Sequence, residues 1–176
     1  PYYIGETEVT QALWTEVMGY NPSFSQMENC PVENVSYNEI VGENGFLEKL
    51  NGRMRDHGLP PDMRFSLPTE AQWEFASKGG NKSRNYKYSG SDTLTLVGWA
   101  GRFAQCSGQA NGVAQKLPNE LGIYDMSGNV WEWCADSYYD YSDTLSIDPF
   151  HLVSVSSLRI VRGGAYDNSE SCARPT

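Results

Sequence analysis

The chain of 176 residues is 39% hydrophobic and 20% charged, and it holds five Trp, eleven Tyr and six Phe. That is enough large apolar surface for one packed core, which excludes a mainly disordered chain. Thirteen Lys and Arg against 22 Asp and Glu leave a formal charge of -9, which repels phosphate backbones and anionic lipid, so no nucleic-acid partner is expected. Nor is membrane insertion, since no apolar run approaches the roughly twenty residues that span a bilayer.

The start Pro1-Tyr2-Tyr3-Ile4 reads as the inside of a strand, so the chain is expected to be a single domain over residues 1–176, clipped from something longer. Thr10 then caps an amphipathic helix through Leu13, Trp14, Val17 and Met18 that exits at Gly19. A loop from Tyr20 to Val35 follows, with Asn21-Pro22-Ser23 and Cys30-Pro31 as poor helix contexts. Ser36 and Glu39 form a capping-box start for a second helix, expected to run through Ile40, Phe46, Leu47 and Leu50 to His57-Gly58. Gly42 and Gly45 weaken its middle by about 1 kcal/mol each relative to Ala. A third helix begins at Thr69, with Gln72 able to reach back to the cap and Gly79-Gly80 past its end.

Beyond Asn81 no helical period lasts two turns. Short strands are expected at Tyr2–Ile4, Gly122–Met126, Val130–Cys134 and Leu158–Val161, separated by long structured loops. The fold class implied is α+β with a loop-heavy sheet.

Several chemistries are excluded by residue type. Gly79-Gly80 follows a helix and Gly163-Gly164 lacks the Lys and Ser/Thr of a nucleotide loop. His57 and His151 are too few for a three-histidine metal centre. The four cysteines, Cys30, Cys106, Cys134 and Cys172, contain no CxxC pair, and no histidine lies beside any of them. Each is a buried thiol, half of a disulfide, or, for Cys172 with Arg174 nearby, a candidate reactive thiol.

The segment Asp125-Met126-Ser127-Gly128-Asn129-Val130-Trp131-Glu132 gathers two carboxylates in a turn with free carbonyls, a donor set that suits a hard cation such as calcium. The same residues also fit a polar turn in which Asp125 and Asn129 bind the local backbone while Trp131 and Trp133 pack inside. Tyr138-Tyr139-Asp140-Tyr141 and Tyr86-Lys87-Tyr88 read either as ligand-stacking surfaces or as satellite cores.

Taken together, the motifs resemble the formylglycine-generating enzyme family, also called the sulfatase-modifying factor family. They are Glu8-Val9-Thr10, Pro31 to Ser36, Arg64 to Phe75, Asn119 to Trp133 and Arg162-Gly163-Gly164-Ala165-Tyr166, in the family's order across nearly the whole chain. The resemblance implies a C-type-lectin-like fold. Its enzymes convert the cysteine of a Cys-x-Pro-x-Arg segment in sulfatases to formylglycine, using oxygen and a copper ion held by two cysteine thiolates. Soft thiolates suit Cu(I). Aligned on Tyr166, the two cysteine slots fall on Asn168 and Ala173, and Cys172 stands one residue out of register.

The resemblance therefore implies a member without the copper pair: a domain that binds a protein or glycan ligand through Tyr138, Tyr139 and Tyr141 and through the segment Tyr166, Asp167, Asn168, Ser169, Glu170 to Arg174. An extracytoplasmic location is expected. A special case is the variable protein of a diversity-generating retroelement, whose binding residues cluster near the end of the same fold. The alternative is a copper-dependent oxidase with Cys172 as its thiol. The resemblance also implies one structural calcium ion, held by side chains of Asp125 and Glu132 and by carbonyls of Gly128 and Val130. The family's first and last strands normally lie outside the ends of this sequence.

Overall fold

The computed structural model describes residues 2–101, 109–140, 149–152 and 158–175. Helix α1 (Gln11–Met18) starts where the Thr10 hydroxyl accepts the Leu13 N–H and ends at Gly19, left-handed at φ 84°. Its inner face presents Trp14 and Val17. The second expected helix is split into α2 (Tyr37–Val41) and α3 (Phe46–Asp56). Gly42 and Gly45 are both extended, and Asn44 between them is left-handed at φ 56°. Two glycines of low helix propensity, three residues apart, make the break, and the Glu48 carboxylate in the first turn of α3 accepts the Asn44 N–H at 2.7 Å. Helix α4 (Glu70–Ser77) has the expected capping box, with Thr69 Oγ1 accepting the Gln72 N–H at 3.2 Å and Gln72 Oε1 accepting the Thr69 N–H at 3.0 Å. A single 3-10 turn at Gly80–Lys82 and the one-turn helix α5 (Leu94–Val97) follow.

Strands β1 (Glu132–Ser137) and β2 (Arg159–Arg162) pair antiparallel, with Glu132 opposite Arg162 and Trp133 opposite Val161. The other two expected strands are not formed. Tyr2–Ile4 finds no ladder partner among the described residues, although Ile4 packs on the core. Residues 122–126 are broken by left-handed Gly122 and Asp125, and their link to the N-terminal segment is the Tyr124 N–H donating to Glu6 at 2.9 Å. With a ladder absent, strand propensity alone does not make a strand.

The core lies in three clusters. Trp73, Ala76, Ile123, Met126 and Cys134 sit between α4 and the hairpin. Trp14, Val17, Ile40 and Phe46 join α1, α2 and α3, with Trp14 stacked on Phe46 at 4.9 Å and Trp133 packed alongside. Tyr88, Leu94, Val97, Ala100 and Ala173 form the third. At Gly128 a Cβ would stand 2.0 Å from the Trp99 carbonyl oxygen; only glycine fits.

Candidate functional site

The turn from Asp125 to Glu132 is the most enclosed polar region described. Asp125 is left-handed at φ 58° and 1% exposed. Its Oδ2 accepts the Ala114 N–H at 2.7 Å, while its buried Oδ1 accepts nothing. Asn129, fully buried, accepts the Asn111 N–H through Oδ1 at 2.8 Å and donates through Nδ2 to the Asn111 carbonyl and to Glu8 Oε2 at 3.1 Å. The polar-turn alternative is thus corrected: the partners of Asp125 and Asn129 are distant in sequence, and Trp131 is 42% exposed rather than inside.

Three carboxylates share this region. Burial, and then the charges of Asp125 and Glu132, push the Glu8 carboxyl well above its usual range, and its Oε1 also lacks a hydrogen bond. Burial raises Glu132 to about 7, against the opposing pull of the Trp73 indole, with Asp125 adding to the rise. Burial raises Asp125 too, offset by the Ala114 N–H and by Lys116. Such an excess of buried negative charge, with two orphaned oxygens, is relieved by a cation. Among the described residues no group of three or more His, Cys, Asp or Glu side chains converges on one point, so an ion here depends on main-chain carbonyls. A Cβ on Gly163 would stand 3.4 Å from Trp73 Cζ2, 3.6 Å from Glu132 Oε1 and 3.8 Å from the Val130 carbonyl oxygen, so two oxygens flank this glycine. Carboxylate and carbonyl oxygens are the donor type that calcium takes.

From Gly163 the chain enters the C-terminal segment. Gly163 and Gly164 are both left-handed, at φ 92° and 78°, and a Cβ on Gly164 would approach the Cys172 carbonyl oxygen to 2.8 Å. The Tyr166 N–H donates to Asn129 at 2.9 Å, and the Gly101 N–H donates to the Asn168 carbonyl at 2.8 Å. Asn168 closes its own turn, Oδ1 accepting the Ala165 N–H at 3.0 Å. Ala173 is fully buried in the third core cluster. The two slots of the copper pair are therefore a turn-forming amide and a core methyl, neither of which binds Cu(I). Asp167, Ser169, Glu170, Cys172 and Arg174 are exposed.

Cys134 and Cys172 are free thiols, so they do not pair with each other. Burial pushes the Cys134 thiol up, away from reactivity. Cys172 has only the Ser169 hydroxyl beside it, at 3.6 Å. Cys106 and Tyr141 lie outside the described residues.

Three of the expected ligand-contacting residues, Tyr138, Tyr139 and Tyr166, border two cavities with no shared lining, and Asp167, Asn168, Ser169, Glu170 and Arg174 line neither. Tyr138, Tyr139 and Asp140 border one of about 350 Å³, together with Glu70, Arg159 and Arg162. Tyr139 stacks on His151 at 3.7 Å, and Arg162 pairs with Glu70 at 3.6 Å and Glu74 at 3.3 Å. Tyr166 borders the other, of about 90 Å³, with Phe24, Ser25, Glu33 and Gln109. Sequence reasoning missed this second wall, because nothing local in Tyr20–Val35 shows that it meets Tyr166. The one signal was Phe24, an aromatic in a polar loop, which is 92% exposed.

Comparison with known proteins gives the lineage. The sulfatase-modifying factor enzyme 1-like domain family matches residues 1–176. The chain is 32% identical to a protein named chaperone protein LppX from Paenibacillus barcinonensis, covering 98% of this chain and 71% of that one. It is 31% identical to the formylglycine-generating enzyme of Streptomyces coelicolor, covering 94% of this chain and half of that enzyme's length. A mouse relative, named inactive C-alpha-formylglycine-generating enzyme 2, is 30% identical over 74% of this chain and 40% of its own. Among solved structures, Treponema denticola variable protein 1 superposes with a TM-score of 0.81 at 31% identity, covering 98% of this chain and 76% of that one. On fold, motif order and these matches, the chain belongs to the sulfatase-modifying factor (formylglycine-generating enzyme) family, as a member with Asn168 and Ala173 where the copper-binding cysteine pair would stand.

Proposed function

We propose that this chain is a non-oxidising, ligand-binding member of its family, displaying Tyr166 to Arg174 toward a protein or glycan. The observation that carries the reading is Ala173: the second copper slot is a methyl group sealed in the core, beside a loop whose other side chains largely face solvent. The likeness to Treponema denticola variable protein 1 supports it, and so does a relative named inactive. In its narrow form the domain is a retroelement-diversified variable protein, its variation confined to the exposed positions of that loop. Location outside the cytoplasm belongs to the same reading.

One structural calcium ion is part of the proposal. Asp125 and Glu132 would hold it with the carbonyls of Gly128 and Val130; the orphaned Asp125 Oδ1, and the Glu132 carboxylate and Val130 carbonyl flanking Gly163, support this. The ion would neutralise the buried carboxylates and fix the turn whose Asn129 carbonyl anchors Tyr166. No helix among the described residues is long and apolar enough to cross a membrane.

The test pairs two assays. A Cys-x-Pro-x-Arg peptide incubated with the purified chain, Cu(I) and oxygen should show no formylglycine by mass spectrometry. Display of the chain with positions 167, 169 and 170 randomised should yield binders to an arbitrary protein target without loss of thermal stability. Turnover that Cys172→Ser abolishes would overturn the reading and make Cys172 catalytic.

A further inference from the structure

The 90 Å³ cavity beside Tyr166 has a composition that selects its occupant. A water needs about 10–15 Å³ of such space, so the cavity has room for the end of a side chain. Among the described residues two aromatic rings border it: Phe24, projecting at 92% exposure, and Tyr166. The charged group in its described lining is the Glu33 carboxylate. Glu33 is held firmly. Its Oε1 accepts the Phe24 N–H, its own N–H donates to Ser23 Oγ at 3.1 Å, and the Ser23 N–H donates to Asn21 Oδ1 at 3.0 Å. Asp167, next to Tyr166 in the chain and exposed, adds a second negative charge beside that ring. Burial first, and then the charges of Asp167 and Glu33, raise the Tyr166 phenol, which places both carboxylates within electrostatic reach of that ring. Ser25 Oγ and Gln109 Oε1, 3.0 Å apart, supply further oxygens at the wall.

From this juxtaposition we infer that the cavity between Phe24, Glu33 and Tyr166 is a specificity pocket for a basic side chain, lysine or arginine, of a partner protein. A cation there meets aromatic faces and a fixed carboxylate together, the arrangement in which both attractions are strongest once water is displaced. An acidic side chain meets like charge, and a neutral one leaves the Glu33 carboxylate desolvated without a counter-charge. The inference rests on the ligand-binding reading above and deepens it by naming the partner's chemistry and by extending the site to residues far from the C-terminal loop in sequence.

The experiment is an NMR titration of the chain with N-acetyl-lysine methylamide, N-acetyl-arginine methylamide, and the norleucine and glutamate analogues. The lysine or arginine probe, or both, should shift the Tyr166 and Gln109 signals, and the two other probes should not. Which basic probe binds tighter separates an ammonium from a guanidinium occupant. Glu33→Gln should weaken the basic probe by about tenfold, as loss of a charged hydrogen bond does. Asp167→Asn, at an exposed position, should weaken it by about twofold. Should Glu33→Gln unfold the loop, Phe24→Ala and Asp167→Asn carry the test, since both side chains stand in solvent. Equal binding of the norleucine or glutamate probe, or unchanged affinity in the folded variants, would overturn the pocket. That failure is separable from failure of the broader reading: randomised loop positions that still yield binders would sustain the broader reading while the pocket falls.

Discussion

Glu132 offers the sharpest quantitative prediction. Its carboxyl titrates in the folded chain at about 7, against 4.5 ordinarily. Between those values the folded chain binds more protons than the unfolded one, so stability falls as pH rises through the interval. At about 1.4 kcal/mol per unit, the interval amounts to about 3 kcal/mol. For a chain of this size that is a drop in Tm of roughly 6–12 °C. Glu8 and Asp125, both raised, add slope of the same sign. The assay is thermal unfolding of calcium-stripped protein from about pH 5 to about pH 7.5, comparing the native chain with Glu132→Gln. The variant should show a shallower decline and should be the more stable of the two at the upper end. Calcium at about a hundred times its Kd should restore roughly 2.7 kcal/mol to the native chain near pH 7.5 and little to the variant. A decline just as steep in the variant, or a variant less stable than the native chain at about pH 7.5, would refute the buried-carboxylate argument. Calcium without effect on the native chain would refute the ion site.

Other outcomes follow from single contacts. Thr69→Ala removes the hydroxyl that accepts the Gln72 N–H at 3.2 Å and should lower stability by about 1 kcal/mol in urea unfolding. Gly164→Ala places a Cβ 2.8 Å from the Cys172 carbonyl oxygen at φ 78°; the strain should be about 1–3 kcal/mol, and ligand capture through the C-terminal loop should weaken with it. Cys172→Ser, at an exposed free thiol, should leave the unfolding midpoint within about 0.5 kcal/mol. Trp73→Ala, in a fully buried cluster, should cost about 3–5 kcal/mol and unfold much of the population at 37 °C.

What could be read from sequence was what is local. The caps at Thr10, Ser36 and Thr69 each bind an N–H three residues on, so residue types at fixed offsets suffice to place them. The break at Gly42 and Gly45 was visible as two weak positions, but whether the helix survived them depended on Glu48 reaching Asn44. Strands fared worse, since a strand exists only with a partner: Gly122–Met126 has strand-forming residues and no ladder. The copper slots that the resemblance assigns to Asn168 and Ala173 rest on register to Tyr166, which is a local count of residues. The pocket at Phe24 was invisible, because it is made by segments far apart in sequence, as the Ser25 to Gln109 contact across 84 residues illustrates.

The loop from Tyr20 to Val35 has one further property, which comes from Gln11. This side chain, 2% exposed, lies at the first turn of α1. Its Nε2 donates to the carbonyls of Ser25 at 3.0 Å and Pro31 at 3.3 Å, and its Oε1 accepts from Asn21 Nδ2 and the Met27 N–H, each at 2.8 Å. One amide thus gathers four points of this sixteen-residue loop, which main-chain bonds from Cys30 to Gln11 and from Val32 to Val9 also tie down. Such a loop cannot fray by degrees; the Met27 amide should exchange its hydrogen only in openings that pull Gln11 out of the core. A partner arriving at Phe24 and Glu33 then meets a wall already set in place, and little of its binding energy is lost to ordering that side of the contact. Rigidity of this kind speaks for a slow rate of release more than for fast capture.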